Sequence, residues 1–164
     1  MDKIIQDLIL AYDRQAEARD NHPLAEWKKD LRWKILDILK SEKKSRLIDI
    51  GAGTGVHAKF FHDQGIHVTC IDLSPAHILK CIDKGLESFV LSVLDLDSLM
   101  LKFDFAFAFN SLLHLPTEQL PEALEKIANI LQPDGLFYWG QYGGEYREGI
   151  YQDDHHQPKR FFTL

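Results

Sequence analysis

The chain has 164 residues, 45 % of them apolar and 27 % charged, with a formal net charge of -6. That length and balance fit one soluble globular domain with a sizeable core, and the acidic surplus speaks against non-specific binding to a phosphate backbone. No apolar run reaches the roughly 20 residues of a membrane span, the opening residues lack a signal-peptide pattern, and Cys70 and Cys81 stand at no metal or CxxC spacing, so a reducing cytoplasm is expected.

The first forty residues read as two amphipathic helices. Ile4, Ile5, Leu8, Ile9 and Tyr12 recur at helical spacing in one, and Leu24, Trp27, Leu31, Ile35 and Ile38 in the other. Asn21 or His22 is the expected cap of the second, with Pro23 in its first turn. From residue 46 short apolar runs alternate with helical stretches. RLIDI (46–50), IHVTCID (66–72), SFVLSV (88–93), FDFAFAF (103–109) and LFYWGQ (136–141) read as strands. Helices are predicted over 54–64, over 75–84 with Ser74 as N-cap and Pro75 at N1, and over 117–131, followed by a QPDG turn. Strands that are apolar throughout and alternate with helices imply a parallel sheet covered on both faces, hence a doubly wound three-layer α/β fold of about five strands.

In such a fold ligands sit at the carboxyl ends of the strands. There the sequence places Gly51, Gly53 and Gly55, which let the backbone turn sharply and approach a ligand. Asp49 precedes them, badly placed beside a pyrophosphate and well placed for an ammonium group. Asp72 closes the second strand, where a carboxylate can take both ribose hydroxyls, and Asp95 follows the third, where it can receive an adenine amino group beside Leu94 and Leu96. The dinucleotide fingerprint is met only weakly, through Gly53, Gly55 and Ala58. The glycines alone leave both a nicotinamide dinucleotide and S-adenosylmethionine open.

LIDIGAGTG, CIDLSPAHI, VLDLDSL, FDFAFAFNSLLHLP and LEKIANILQPDGLFYWGQ together, in order from about residue 46 to 141, resemble the class I S-adenosylmethionine-dependent methyltransferases. The resemblance implies a Rossmann-like methyltransferase fold, with S-adenosylmethionine as cofactor and S-adenosylhomocysteine (SAH) as product. It assigns Asp49, Gly51, Ala52, Gly53 and Gly55 to the methionine moiety, Asp72 to the ribose, and Leu73, Asp95 and Leu96 to the adenine. Asn110 lines the floor near the sulfonium. Residues 1–45 would form a helical lid, 46–141 the cofactor-binding core and 142–164 an acceptor-side tail, all within a single domain. Tyr12 and Arg19 could reach the cofactor from the lid, Arg19 as partner of its carboxylate.

Methyl transfer from a sulfonium needs alignment and exclusion of water more than it needs a base. His114, just past the fourth strand, is the candidate base, with a packed structural histidine as the alternative. The residues after Asn110 lack the Pro-Pro-aromatic pattern of base-amine methylation, so a small-molecule acceptor is expected rather than nucleic acid or a membrane. The tail, 142–164, is rich in aromatic and ionisable groups, and its DDHH run (153–156) is not expected to bind metal. It does not read as a helix plus hairpin. The last two strands of the family fold are therefore expected to be missing, leaving an open edge through which a homodimer could form. The competing readings are an NAD(P)-dependent oxidoreductase and an inactive methyltransferase-fold association module.

Overall fold

Five parallel strands form the central sheet, in the order β3-β2-β1-β4-β5. The computed structural model describes residues 3–164. The strands are β1 (Arg46–Ile50), β2 (His67–Asp72), β3 (Glu87–Val90), β4 (Phe103–Phe109) and β5 (Leu131–Gly140). Because side chains alternate between faces and both faces are covered, each central strand is apolar on both sides. Leu47, Cys70, Phe105 and Phe107 enter one core layer with Ile35, Leu36 and Leu39 of α3 (Glu26–Ser41) and Phe61 of α4 (Val56–Asp63). Ile48, Ile50, Ile71, Ala106 and Ala108 enter the other with Ala123, Ile127 and Ile130 of α6 (Leu120–Ile130).

The strand order reverses between β1 and β4, so their carboxyl ends stand side by side and open a crevice. Two further elements close over it. α1 (Lys3–Asp13) docks on the start of α5 (Pro75–Asp83), where Asp13 Oδ1 accepts hydrogen bonds from Ser74 Oγ (2.5 Å) and Ala76 N (3.2 Å). α2 (Ala16–Asp20) is tied down by Lys84 on Asp20 at 2.6 Å and by a Lys80–Glu17 ion pair.

The expected elements differ from the observed ones in four places. The N-terminal region holds three helices, because Asn21 closes α2 by bonding back to Glu17 (3.0 Å) instead of capping the next helix. Helix α3 then starts at Glu26, leaving Pro23 outside it. Its buried face is Ile35, Leu36 and Leu39, with Leu31 packed against it, while Trp27 and Ile38 stay 51 % and 45 % exposed. The third strand stops at Val90. Ser92 Oγ accepts from Leu94 N (3.2 Å) and starts a 3-10 turn, Val93–Leu99, a local hydrogen bond that competes with the strand. The QPDG segment is a large bulge inside β5, whose residues 131 and 136 flank it opposite Phe103 and Phe105. Finally, the tail does make a hairpin: β6 (Glu148–Ile150) pairs antiparallel with β7 (Phe161–Thr163). This ribbon does not join the sheet. It packs on the turn after β4 (Leu112–His114), with Thr163 Oγ1 donating to Leu115 O at 2.7 Å, and β5 remains an edge strand.

Candidate functional site

The turn after β1 is shaped by three left-handed glycines with different neighbours. Gly51 has φ +72°, and a Cβ there would lie 2.3 Å from Ser111 Cβ, so only glycine lets the ends of β1 and β4 approach. Gly55 caps α4, and a Cβ on it would meet Cys81 Sγ and Leu86 Cδ1, each at 2.9 Å; it serves packing. Gly53, at φ +57°, would have nothing within 4 Å of such an atom and borders open space. Its N–H donates to Asp72 Oδ2 at 2.9 Å, which fixes the turn against the end of β2.

Two carboxylates flank this turn and behave oppositely. Asp49 is 2 % exposed, and its Oδ2 has no hydrogen-bond partner. Burial, then the charge of Asp72, pushes its pKa up to about 8. Burial also works to raise Asp72, but hydrogen bonds from His77 Nδ1 (3.3 Å), Ser74 N (2.8 Å) and Gly53 N outweigh it and hold the group below the usual carboxylate range.

Both acids open into one cavity of about 770 Å³. Asp49, Gly51, Ala52, Gly53, Asp72, Leu73, Asn110 and His114 line it, as do Tyr12, Arg19 and Lys28 from the N-terminal helices. Gly55, Asp95 and Leu96 do not. Asp95 points to solvent from the 3-10 turn, and Leu96 is 0 % exposed in the core. Ser92, Val93 and Leu94 line the cavity at that end, and Ile5, Ile9 and Leu112 add apolar surface to the same cavity. The third strand's early end shifts the wall back by a few residues, which its apolar sequence did not signal. Asn110 turns the chain at φ +54°, donates its N–H to Gly140 O (2.7 Å) and accepts Tyr142 N on Oδ1 (3.1 Å). Besides Asp49 Oδ2, the buried and unpartnered His57 Nδ1, His77 Nε2, Ser111 Oγ and His156 Nε2 belong to cavity-lining residues. Such groups are costly unless a ligand or water meets them.

Opposite the glycine turn, residues far apart in sequence meet at Tyr12. His114 Nδ1 lies 2.7 Å from Phe161 O, a pure acceptor, so Nδ1 carries the proton and Nε2 is bare. Tyr12 donates its O–H to that Nε2 at 2.5 Å and accepts from Arg160 Nη1 at 3.0 Å. Burial is the main cause that brings His114 down to about 4, with nearby Arg160 and Arg19 adding to it against the pull of Phe161 O. Arg160 is held in turn by Asp154, through Nε to Oδ2 and Nη2 to Oδ1, both 2.9 Å. The possible ligand atoms of Asp154, His155 and His156 lie within 4.8 Å of one another, but Arg160 and His156 occupy the Asp154 oxygens. Neither Arg160 nor Lys28 carries a motif; only their place in the fold identifies them.

The sequence pattern of the family described as "Methyltransferase domain" matches residues 47–135. No curated protein matches the chain. Among solved structures it is similar to DhpI in complex with SAH, at 17 % identity and TM-score 0.70, over 98 % of this chain and 80 % of that one. It is similar to SAM-bound CalS10, an amino pentose methyltransferase from Micromonospora echinaspora, at 20 % identity and TM-score 0.61, over 82 % and 66 % of the two chains. It is also similar to the 1,6-didemethyltoxoflavin-N1-methyltransferase of Burkholderia thailandensis, bound to 1,6-didemethyltoxoflavin and S-adenosylhomocysteine. There the identity is 22 % and the TM-score 0.58, over 87 % and 74 %. At these identities the likeness is one of fold.

Proposed function

The chain belongs to the methyltransferase domain family, and from that premise we propose that it is an S-adenosylmethionine-dependent methyltransferase acting on a small-molecule acceptor. The observation that carries the donor assignment is the pairing of Asp49, with its buried unpartnered oxygen, and Asp72 on either side of the open Gly53 turn. An ammonium group satisfies Asp49 Oδ2, and a ribose diol suits the ionised Asp72. The donor or its product in DhpI, CalS10 and the toxoflavin enzyme supports the same choice.

When bound, S-adenosylmethionine supplies a methyl group on a sulfonium whose departure leaves a neutral thioether. The chain's own residues bind and orient. Asp49 and the Gly51–Gly53 backbone hold the methionine end, and Asn110 lies beside it. Lys28 takes the carboxylate in place of Arg19, because its ammonium stands 5.6 Å from the Phe109 ring centre, next to Asn110. Leu73 and Leu94 sandwich the adenine. α1 and α2 cover the cavity and exclude water. His114 holds Tyr12 through its only free nitrogen, so it does not meet the acceptor directly. The acceptor enters from the Tyr12, Arg160 and Tyr142 side. The unpaired edge of β5 is the surface for self-association, which sedimentation velocity over a concentration series tests.

Calorimetric titration with SAH, with NADH as the control, tests the donor. Micromolar binding of SAH alone is expected, and Asp72→Ala abolishes it. Binding of NADH, or of neither compound, would overturn the proposal.

A further inference from the structure

The chain as a whole is acidic, yet the cavity wall concentrates positive charge. Arg19, Lys28 and Arg160 line it against Asp49 and Asp72. Asp154, which backs Arg160, lies outside the lining. Among the described residues no carboxylate pairs with Arg19 or Lys28. The donor brings one carboxylate and two cationic centres. With Asp49 on its ammonium, Lys28 on its carboxylate and Asp154 on Arg160, the sulfonium and Arg19 remain against Asp72, one positive charge in excess. An anionic acceptor balances that charge, and the N–H groups left over on Arg160 and Arg19 favour it over a neutral or cationic one.

From this we propose that the acceptor carries an oxyanion, a carboxylate or a phosphoryl-type group, bound by Arg160 and Arg19, which both stand beside Tyr12. The inference rests on the methyltransferase reading and names the substrate class of its acceptor site. The two guanidinium carbons stand 5.2 and 5.1 Å from the centre of the Tyr12 ring. Arg160 has five N–H bonds. Nε and one on Nη2 go to Asp154, and one on Nη1 goes to Tyr12. One N–H on each terminal nitrogen is left over, a pair that suits two oxygens of one oxyanion. Asp154 fixes that edge before anything binds, so little ordering is needed on binding. Arg19 has its whole guanidinium available. His114 Nε2 is filled by the Tyr12 O–H, and its Nδ1 faces a carbonyl. His114 is therefore closed to the acceptor; the bare Nε2 of His156 also lines the cavity, and an oxyanion does not call on it.

The test uses the full chain saturated with SAH, titrated in separate runs with inorganic phosphate, acetate and acetamide. At least one of the two anions is expected to bind, and acetamide at least about tenfold more weakly; whichever anion binds tells a phosphoryl-type acceptor from a carboxylate. Arg160→Gln is expected to weaken the anion about tenfold or more while leaving SAH affinity nearly unchanged. Since that change also orphans Asp154, Arg19→Gln is the second variant, on an exposed side chain, with a loss of about threefold to tenfold expected. SAH binding without anion binding, or anion binding indifferent to both variants, overturns the inference and spares the donor assignment. Loss of SAH instead of the anion in Arg19→Gln gives Arg19 to the donor and overturns it too. Anion binding that both variants weaken, in a chain that never binds SAH, upholds the anion site and sinks the donor. Binding of neither sinks both.

Discussion

Asp49, His57 and His114 carry unusual pKa values, and together they set a pH dependence. Asp49 titrates near 8 in the folded chain against 3.8 unfolded. Between those values the native state holds a proton that the unfolded state has lost, so this group makes stability fall as pH rises from about 4 to 8. His57 and His114 are both brought down by burial to about 4, from 6.5. Below 6.5 the unfolded chain takes up two protons that the native chain refuses, so stability falls as pH drops from 6.5 to 4. The two slopes cross at about pH 6.5, where urea unfolding should give the greatest stability; a flat profile from 5 to 8 would contradict these burials. The same Asp49 couples donor binding to pH. An ammonium group favours its ionised form, so SAH binding at pH 7 should release about one proton. Affinity should then rise by up to about tenfold per unit toward pH 8 and level off above it. Calorimetry in buffers of different ionisation enthalpy counts that proton. Asp49→Asn should remove the release and weaken SAH by about tenfold to a hundredfold.

The glycine turn and the C-terminal ribbon make the clearest predictions for single elements. Gly51→Ala forces a methyl group to within 2.3 Å of Ser111 Cβ at a positive φ, and Gly53→Ala adds only the backbone strain of about 1–2 kcal/mol. Thermal unfolding should therefore be lowered far more by the first. The second should leave a folded chain that has lost SAH affinity, because its new methyl group occupies the open space over the turn. In the ribbon, Asp154→Asn weakens the hold on Arg160, so the amides of 154–163 should lose hydrogen-exchange protection while β1 and β4 keep theirs. Legibility differs in the same way. The strand–glycine–helix pattern of 46–63 and the cap Ser74-Pro75 are local, with a residue type demanded at each position, and the sequence spells them out. The ribbon is not local. Its strands are three residues each, and an ion pair rather than a turn motif ties the segment between them, so nothing in 142–164 announces it. In the same way, Ser92 ends the third strand early, so Asp95 and Leu96 lie outside the cavity wall and Ser92, Val93 and Leu94 line it.

For the molecule as a whole, a ligand that binds only the folded chain stabilises it by mass action, about 2.7 kcal/mol at a hundred times its Kd. At this size SAH should raise Tm by roughly 5–11 °C, and NADH by nothing measurable, in a thermal shift assay. The residues that meet at Tyr12 also give the molecule an order of assembly. The hydrogen bond from Arg160 to Tyr12 spans 148 positions of sequence, whereas Asp13 finds Ser74 after 61. On a ribosome adding about 5–20 residues per second, Tyr12 waits roughly 7–30 s for its arginine, and α1 has a docking partner on α5 well before then. α1 is thus docked over the cavity while the C-terminal ribbon is still being translated. A nascent chain stalled short of residue 160 has its α1 roof and still lacks the guanidinium that completes the cluster on Tyr12.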